Sequence, residues 1–93
     1  TDLITSTGTG FTDFATEYLS IRVVYTPSTN TWELLLRNDG ATSFADPSGG
    51  TLTSMGTVVN STYTTLTGMR YTGGYWQGST AGNQTAFFDN VFL

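Results

Sequence analysis

A chain of 93 residues and 10.0 kDa has room for one small domain or one part of a larger one. Seven acidic residues against three arginines, Arg22, Arg37 and Arg70, leave a net charge of −4, and there is no lysine. That balance fits neither nucleic acid nor an anionic membrane surface, both of which need a basic face. The absence of cysteine excludes disulfides and thiolate metal sites, and the absence of histidine removes the commonest general base.

Twenty threonines, eight serines and eleven glycines accompany thirteen aromatic residues. Threonine and aromatics favour extended, half-buried chain, and glycine supplies turns. Charged residues make up 11% of the chain, against roughly 25% in an ordinary soluble domain, so hydroxyls cover the surface in place of ions. This composition points to a secreted or cell-surface setting. No run approaches the roughly 20 apolar residues of a membrane helix. Thr1-Asp2-Leu3-Ile4-Thr5 carries no signal-peptide pattern, so a secretion signal is expected upstream.

Alternation of apolar and polar residues recurs along the chain, and a helical period does not. Leu3–Thr7 reads as a first strand. In Tyr18–Thr26, Leu19, Ile21, Val23 and Tyr25 alternate with Ser20, Arg22 and Val24. In Thr31–Asn38, Trp32, Leu34 and Leu36 alternate with Glu33, Leu35 and Arg37. Pro27-Ser28-Thr29-Asn30 between them is a turn signal, so the two segments form a hairpin with Tyr25 near Trp32. Asn38-Asp39-Gly40 is a second turn signal. A short extended piece over Ala41–Ala45 precedes a loop at Asp46-Pro47-Ser48-Gly49-Gly50. Thr51–Asn60 is a further strand, bent at Gly56, followed by strands over Tyr63–Thr72 and Ala86–Leu93.

Seven short strands with frequent turns predict one antiparallel β-sandwich spanning residues 1–93. Its expected core is Ile21, Val23, Trp32, Leu34, Leu36, Val58, Phe88 and Val91. The last strand is apolar on both faces, with Phe88 and Phe92 on one and Phe87, Val91 and Leu93 on the other. It therefore needs cover on both sides, from other chains or from a longer domain.

Three blocks carry a resemblance to a known family. They are Ile21-Arg22-Val23-Val24-Tyr25-Thr26-Pro27 with Thr31-Trp32-Glu33-Leu34-Leu35-Leu36, then Thr51–Tyr63 with Gly56-Thr57-Val58, and finally Phe87-Phe88-Asp89-Asn90-Val91-Phe92-Leu93. In order and spacing they resemble the C-terminal half of a concanavalin A-like jelly-roll domain, of the laminin-G and lectin type, as found in bacterial secreted and cell-surface proteins. The resemblance implies a jelly-roll sandwich whose front part lies on another segment or chain. It also implies an extracellular, adhesive or glycan-binding role.

Catalysis finds no support in the residues. Family members that hydrolyse β-glucans carry a Glu-x-Asp-x-x-Glu arrangement, and retaining glycosidases need two carboxyls about 5 Å apart. Here the only glutamates, Glu17 and Glu33, lie in different segments. Thr7-Gly8-Thr9-Gly10 lacks the lysine of a phosphate loop, so the chain is expected not to be an enzyme. Calcium takes carboxylate, amide and carbonyl oxygens, which makes Asp39 and Asp46 the candidate metal ligands. Both also read as ordinary turn residues. Tyr71, Tyr75 and Trp76 flank Gly73-Gly74, with Gln77 and Asn83 near, a set suited to sugar C–H faces and hydroxyls. The bland alternative is that Trp76 caps the core. Asn60-Ser61-Thr62 and Asn83-Gln84-Thr85 match the glycosylation pattern but discriminate nothing.

The expectation is a non-catalytic extracellular structural or adhesion module of a larger bacterial surface protein, with glycan and other copies or segments of a surface assembly as candidate partners. Two rivals stand beside it. One is a filament or sheath subunit completed by strand addition from a neighbour. The other is an ancillary carbohydrate-binding part of a polysaccharide-degrading enzyme.

Overall fold

The computed structural model of the protein describes residues 3–11 and 16–62. These residues form an antiparallel three-stranded sheet, with β1 at Tyr18–Thr26, β2 at Thr31–Gly40 and β3 at Thr53–Val59, in the order β1-β2-β3. Among the described residues there is no helix, and all regular structure is strand, as the alternating pattern requires.

The hairpin forms as expected. Tyr25 lies opposite Trp32, Val23 opposite Leu34 and Ile21 opposite Leu36. The turn closes through the Thr29 amide on the Thr26 carbonyl and the Asn30 amide on the Pro27 carbonyl. Proline presets φ at its start, and Asn30 takes the left-handed conformation at φ 50°. β3 pairs with β2 through Trp32 opposite Val58 and Leu34 opposite Gly56, after which the register shifts so that Leu35 meets Ser54. Met55 is therefore the extra residue of a bulge. Gly56 makes the bend with φ 120°, a backbone region that side-chain-bearing residues rarely adopt.

Three expectations need correction. Leu3–Thr7 is bent, irregular chain and not a strand. Ala41–Ala45 is also irregular, and its last amide, that of Ala45, donates to the Asp39 carboxylate in place of a strand ladder. Asn38-Asp39-Gly40 does not turn the chain but ends β2. The turn chemistry is spent locally: Asn38 Oδ1 accepts from the Gly40 amide, and the ladder shifts register between Tyr18 and Leu19. The strands expected over 63–72 and 86–93 lie outside the described residues.

Register divides the side chains between two faces. Ile21, Val23, Tyr25, Trp32, Leu34, Leu36 and Val58 share one face, and Ser20, Arg22, Val24, Glu33, Leu35 and Arg37 share the other. The buried apolar residues among those described are Leu36 and Leu52. Leu36 lies on the central strand, between the points where Leu3 and Ile4 meet Leu34 and where Gly10 meets Asn38. Ile21 and Val23, expected in the core, are 52% and 60% exposed. The loop after β2 folds over the opposite, polar face, whereas the segment 3–11 runs along the apolar face of β2, from Leu3 and Ile4 beside Trp32 and Leu34 to the Gly10 carbonyl on Asn38 Nδ2. Trp32, Leu34 and Val58 are half-buried, and Phe88 and Val91 of the expected core lie outside the described residues.

Candidate functional site

Arg22 on β1 and Arg37 on β2 project from the same face of the sheet, beside Ser20. Both reach the loop that follows β2. Arg22 Nε and Nη2 donate to the Pro47 carbonyl, and Nη2 also reaches the Gly49 carbonyl. Arg37 Nη1 donates to the Gly49 carbonyl at 2.8 Å, and Nη2 to the Asp46 carbonyl at 3.1 Å. The rigid guanidinium fork suits a set of converging carbonyls that a lysine could not bridge.

Asp39 anchors this cluster. Its Oδ1 receives Arg37 Nε in a salt bridge, and its Oδ2 receives the Ser20 hydroxyl and the Ala45 amide. The Ser20 Oγ also accepts from Arg37 Nη2 at 3.1 Å. Ser20 is 4% exposed, and every buried side-chain polar atom among the described residues has a partner. Burial by itself would raise the Asp39 pKa above its usual 3.8. The hydrogen bonds from Ser20, Arg37 and Ala45, with the arginine charge, outweigh that and hold it lower. Asp46 is held lower too, first by the Ser48 hydroxyl and then by the Ser48 amide, both of which meet its Oδ1.

The two candidate calcium ligands therefore lie near each other, with Arg37 bonded to the carboxylate of Asp39 and to the carbonyl of Asp46. The positive charge that balances Asp39 comes from this guanidinium. Among the described residues no three metal-binding side chains gather. The expected sugar-contacting residues, Tyr71, Tyr75, Trp76, Gln77 and Asn83, lie outside the described residues.

A second feature is the apolar face, which is exposed along β1 at Ile21 and Val23. A hollow of ≈ 220 Å³ is bounded by Leu3, Ile4, Val23, Trp32, Glu33 and Leu34. At its end the Tyr25 and Trp32 rings stack, and the indole Nε1 donates to the Asn60 carbonyl at 3.0 Å. A groove of ≈ 600 Å³ follows the β1 edge along Ile21–Tyr25, walled by Pro47 and Ser48.

Alternation did not disclose Ser20 as the buried polar centre of the loop clamp. One signal was present: the two arginines of the hairpin fall on the face opposite Ile21 and Val23, so both were bound to act together. Among the described residues no helix is long and apolar enough to cross a membrane. No known family, curated protein or solved structure matches the chain. Fold and site geometry thus define, over the described residues, an antiparallel all-β sheet with a closed polar face and an apolar face exposed along β1.

Proposed function

We propose that this chain is a non-catalytic structural or adhesion module of a larger extracellular or cell-surface protein, in which the sheet is one layer of a jelly-roll sandwich of the concanavalin A-like type. The observation that carries the reading is the asymmetry of the sheet. Its polar face is closed by a loop held on two arginines, while on the other face Ile21 and Val23 of the edge strand β1 stand exposed beside the buried Leu36. An apolar sheet face of this kind is a surface to be packed against, not a place for chemistry. The acidic side chains of the clamp serve the same structural end, being tied to Arg37, Ser20 and Ser48.

A glycan is the proposed ligand of the module, through Tyr71, Tyr75, Trp76, Gln77 and Asn83. A glycan array probed with the full chain and with Trp76→Ala tests this. Binding lost in the variant supports the ligand, and no binding by either protein leaves the structural role alone. The exposed β1 edge favours a second reading, a filament or sheath subunit completed by a neighbour's strand. Light scattering across a concentration series separates the two: a stable monomer supports the module, and a polymer or tight pair supports the subunit.

A further inference from the structure

We infer that the groove along the outer edge of β1 receives residues 86–93 of the same chain as an added strand. Among the described residues β1 pairs only with β2, so the outward-pointing amides and carbonyls of its other edge are left to bond elsewhere. Native sheet edges are normally guarded by lysine, proline or bulges. Between Leu19 and Thr26 the β1 edge has none of these. Its one charge, Arg22, is turned inward onto the Pro47 carbonyl.

The identity of the occupant follows from pattern. The β1 edge carries apolar side chains above and below the sheet: Ile21 and Val23 stand on one face and Val24, beside Arg22, on the other, with Pro47 and Ser48 walling the groove. Ile21, Val23 and Val24 are 52%, 60% and 39% exposed. A strand laid there needs apolar residues on both of its own faces. Ala86–Leu93 supplies them, with Phe88 and Phe92 at one parity and Phe87, Val91 and Leu93 at the other. The edge's one ionised group is Arg22, which lines the groove and donates to the Pro47 carbonyl, and the strand's one charge is Asp89, of opposite sign. The 23 residues between Thr62 and Ala86 are ample to cross a sheet whose strands lie about 4.8 Å apart. An intramolecular strand also has the advantage of high effective concentration over a second copy. This inference is independent of the extracellular and glycan readings.

The chain has no cysteine, so a single engineered pair reports its own neighbourhood. Val23→Cys is combined in turn with Phe88→Cys, Asn90→Cys and Phe92→Cys, and Val24→Cys with Phe87→Cys and Val91→Cys, in the full chain. Cα atoms of neighbouring strands fall within disulfide range only when the residues are adjacent. The expected result is a disulfide within the monomer for at least one pair, and none when the β1 cysteine is replaced by Thr57→Cys on β3. Disulfides found only in dimers, no disulfide in any pair, or equal yield with Thr57→Cys would overturn the inference. Amide exchange on the unaltered chain guards against variants that fail to fold. The outward amides of Ile21–Tyr25 should exchange at least about a hundredfold more slowly than in an unstructured peptide. Exchange at the unstructured rate refutes the added strand.

Discussion

Tyr25 and Trp32 face each other across the β1–β2 ladder with ring centroids 4.4 Å apart and planes 28° from parallel. The pair pins the hairpin at its turn end, since the Tyr25 hydroxyl donates to Asn30 Oδ1 and the indole donates to the Asn60 carbonyl just after β3. One cross-strand contact therefore ties the turn to all three strands. Trp32→Ala removes the stack, the packing on Val58 and the bond to Asn60. A loss of about 3 kcal/mol is expected, at the low end for a large aromatic because Trp32 is only half-buried. Tyr25→Phe keeps the ring and loses one part-buried hydrogen bond, so its cost should stay below about 1 kcal/mol. Urea unfolding followed by far-ultraviolet circular dichroism checks both, and equal losses would show that the rings contribute little.

Acid should loosen the loop clamp. The folded-state pKa of Asp39 lies below its unfolded value. Its contribution to stability is thus fully present above the unfolded pKa, about 3.9, and is lost as pH falls through the folded one. Asp46 acts in the same direction. Unfolding midpoints should therefore hold level through neutral pH and decline below about pH 4. Asp39→Asn should cost about 1–3 kcal/mol at neutral pH by leaving Arg37 and Ser20 short of an acceptor. It should also flatten the acid decline, leaving only a residue from Asp46 and other carboxylates. A variant with the parental acid slope would show that Asp39 is not the group that titrates.

Gly50 has a measurable dependence on Arg37. A Cβ at Gly50 would stand 2.7 Å from Arg37 Nη1, and the backbone there has φ +70°. Gly50→Ala should cost about 1–3 kcal/mol, part of it backbone strain and part displacement of the guanidinium. In an Arg37→Met background the second part disappears, so the same substitution should cost less. A double-mutant cycle in urea isolates the difference, expected at about 0.5 kcal/mol or more. Strict additivity would show that the guanidinium yields without cost.

The hairpin was legible because each strand repeats apolar and polar residues with period two and Pro27–Asn30 carries its own backbone preferences. The bend at Gly56 was legible for a similar reason, since glycine in a strand marks a bulge. Asn38-Asp39-Gly40 misled because turn residues satisfy their signal by local hydrogen bonds as readily as by reversing the chain. Asn38 does so at the end of β2, and Asp39 is drawn to Arg37, two residues back. Alternation marks Ile21 and Val23 as core because it reports which residues share a face, not whether anything covers that face. Alternation cannot mark Ser20 as buried because its cover comes from a loop 25 residues further on, through Arg37 and the Ala45 carbonyl. No local pattern encodes such a contact.

Asn30 separates backbone strain from side-chain bonding in a single position. Its φ of 50° favours glycine or asparagine, and its side chain accepts the Tyr25 hydroxyl. Its carbonyl also accepts the Asn60 amide at 2.9 Å, so the turn geometry bears on the entry to residues beyond β3. Asn30→Gly keeps the conformation easily and loses only the bond to Tyr25. Asn30→Ala loses that bond and also forces a Cβ into the left-handed region. The two variants should differ by about 1 kcal/mol, with alanine the less stable. Adding Tyr25→Phe should leave that difference unchanged, because strain and bond are separate terms here. Equal stability of the glycine and alanine variants would mean that the turn relaxes to another conformation, and the Asn30–Asn60 bond should then be lost, visible as faster exchange of the Asn60 amide.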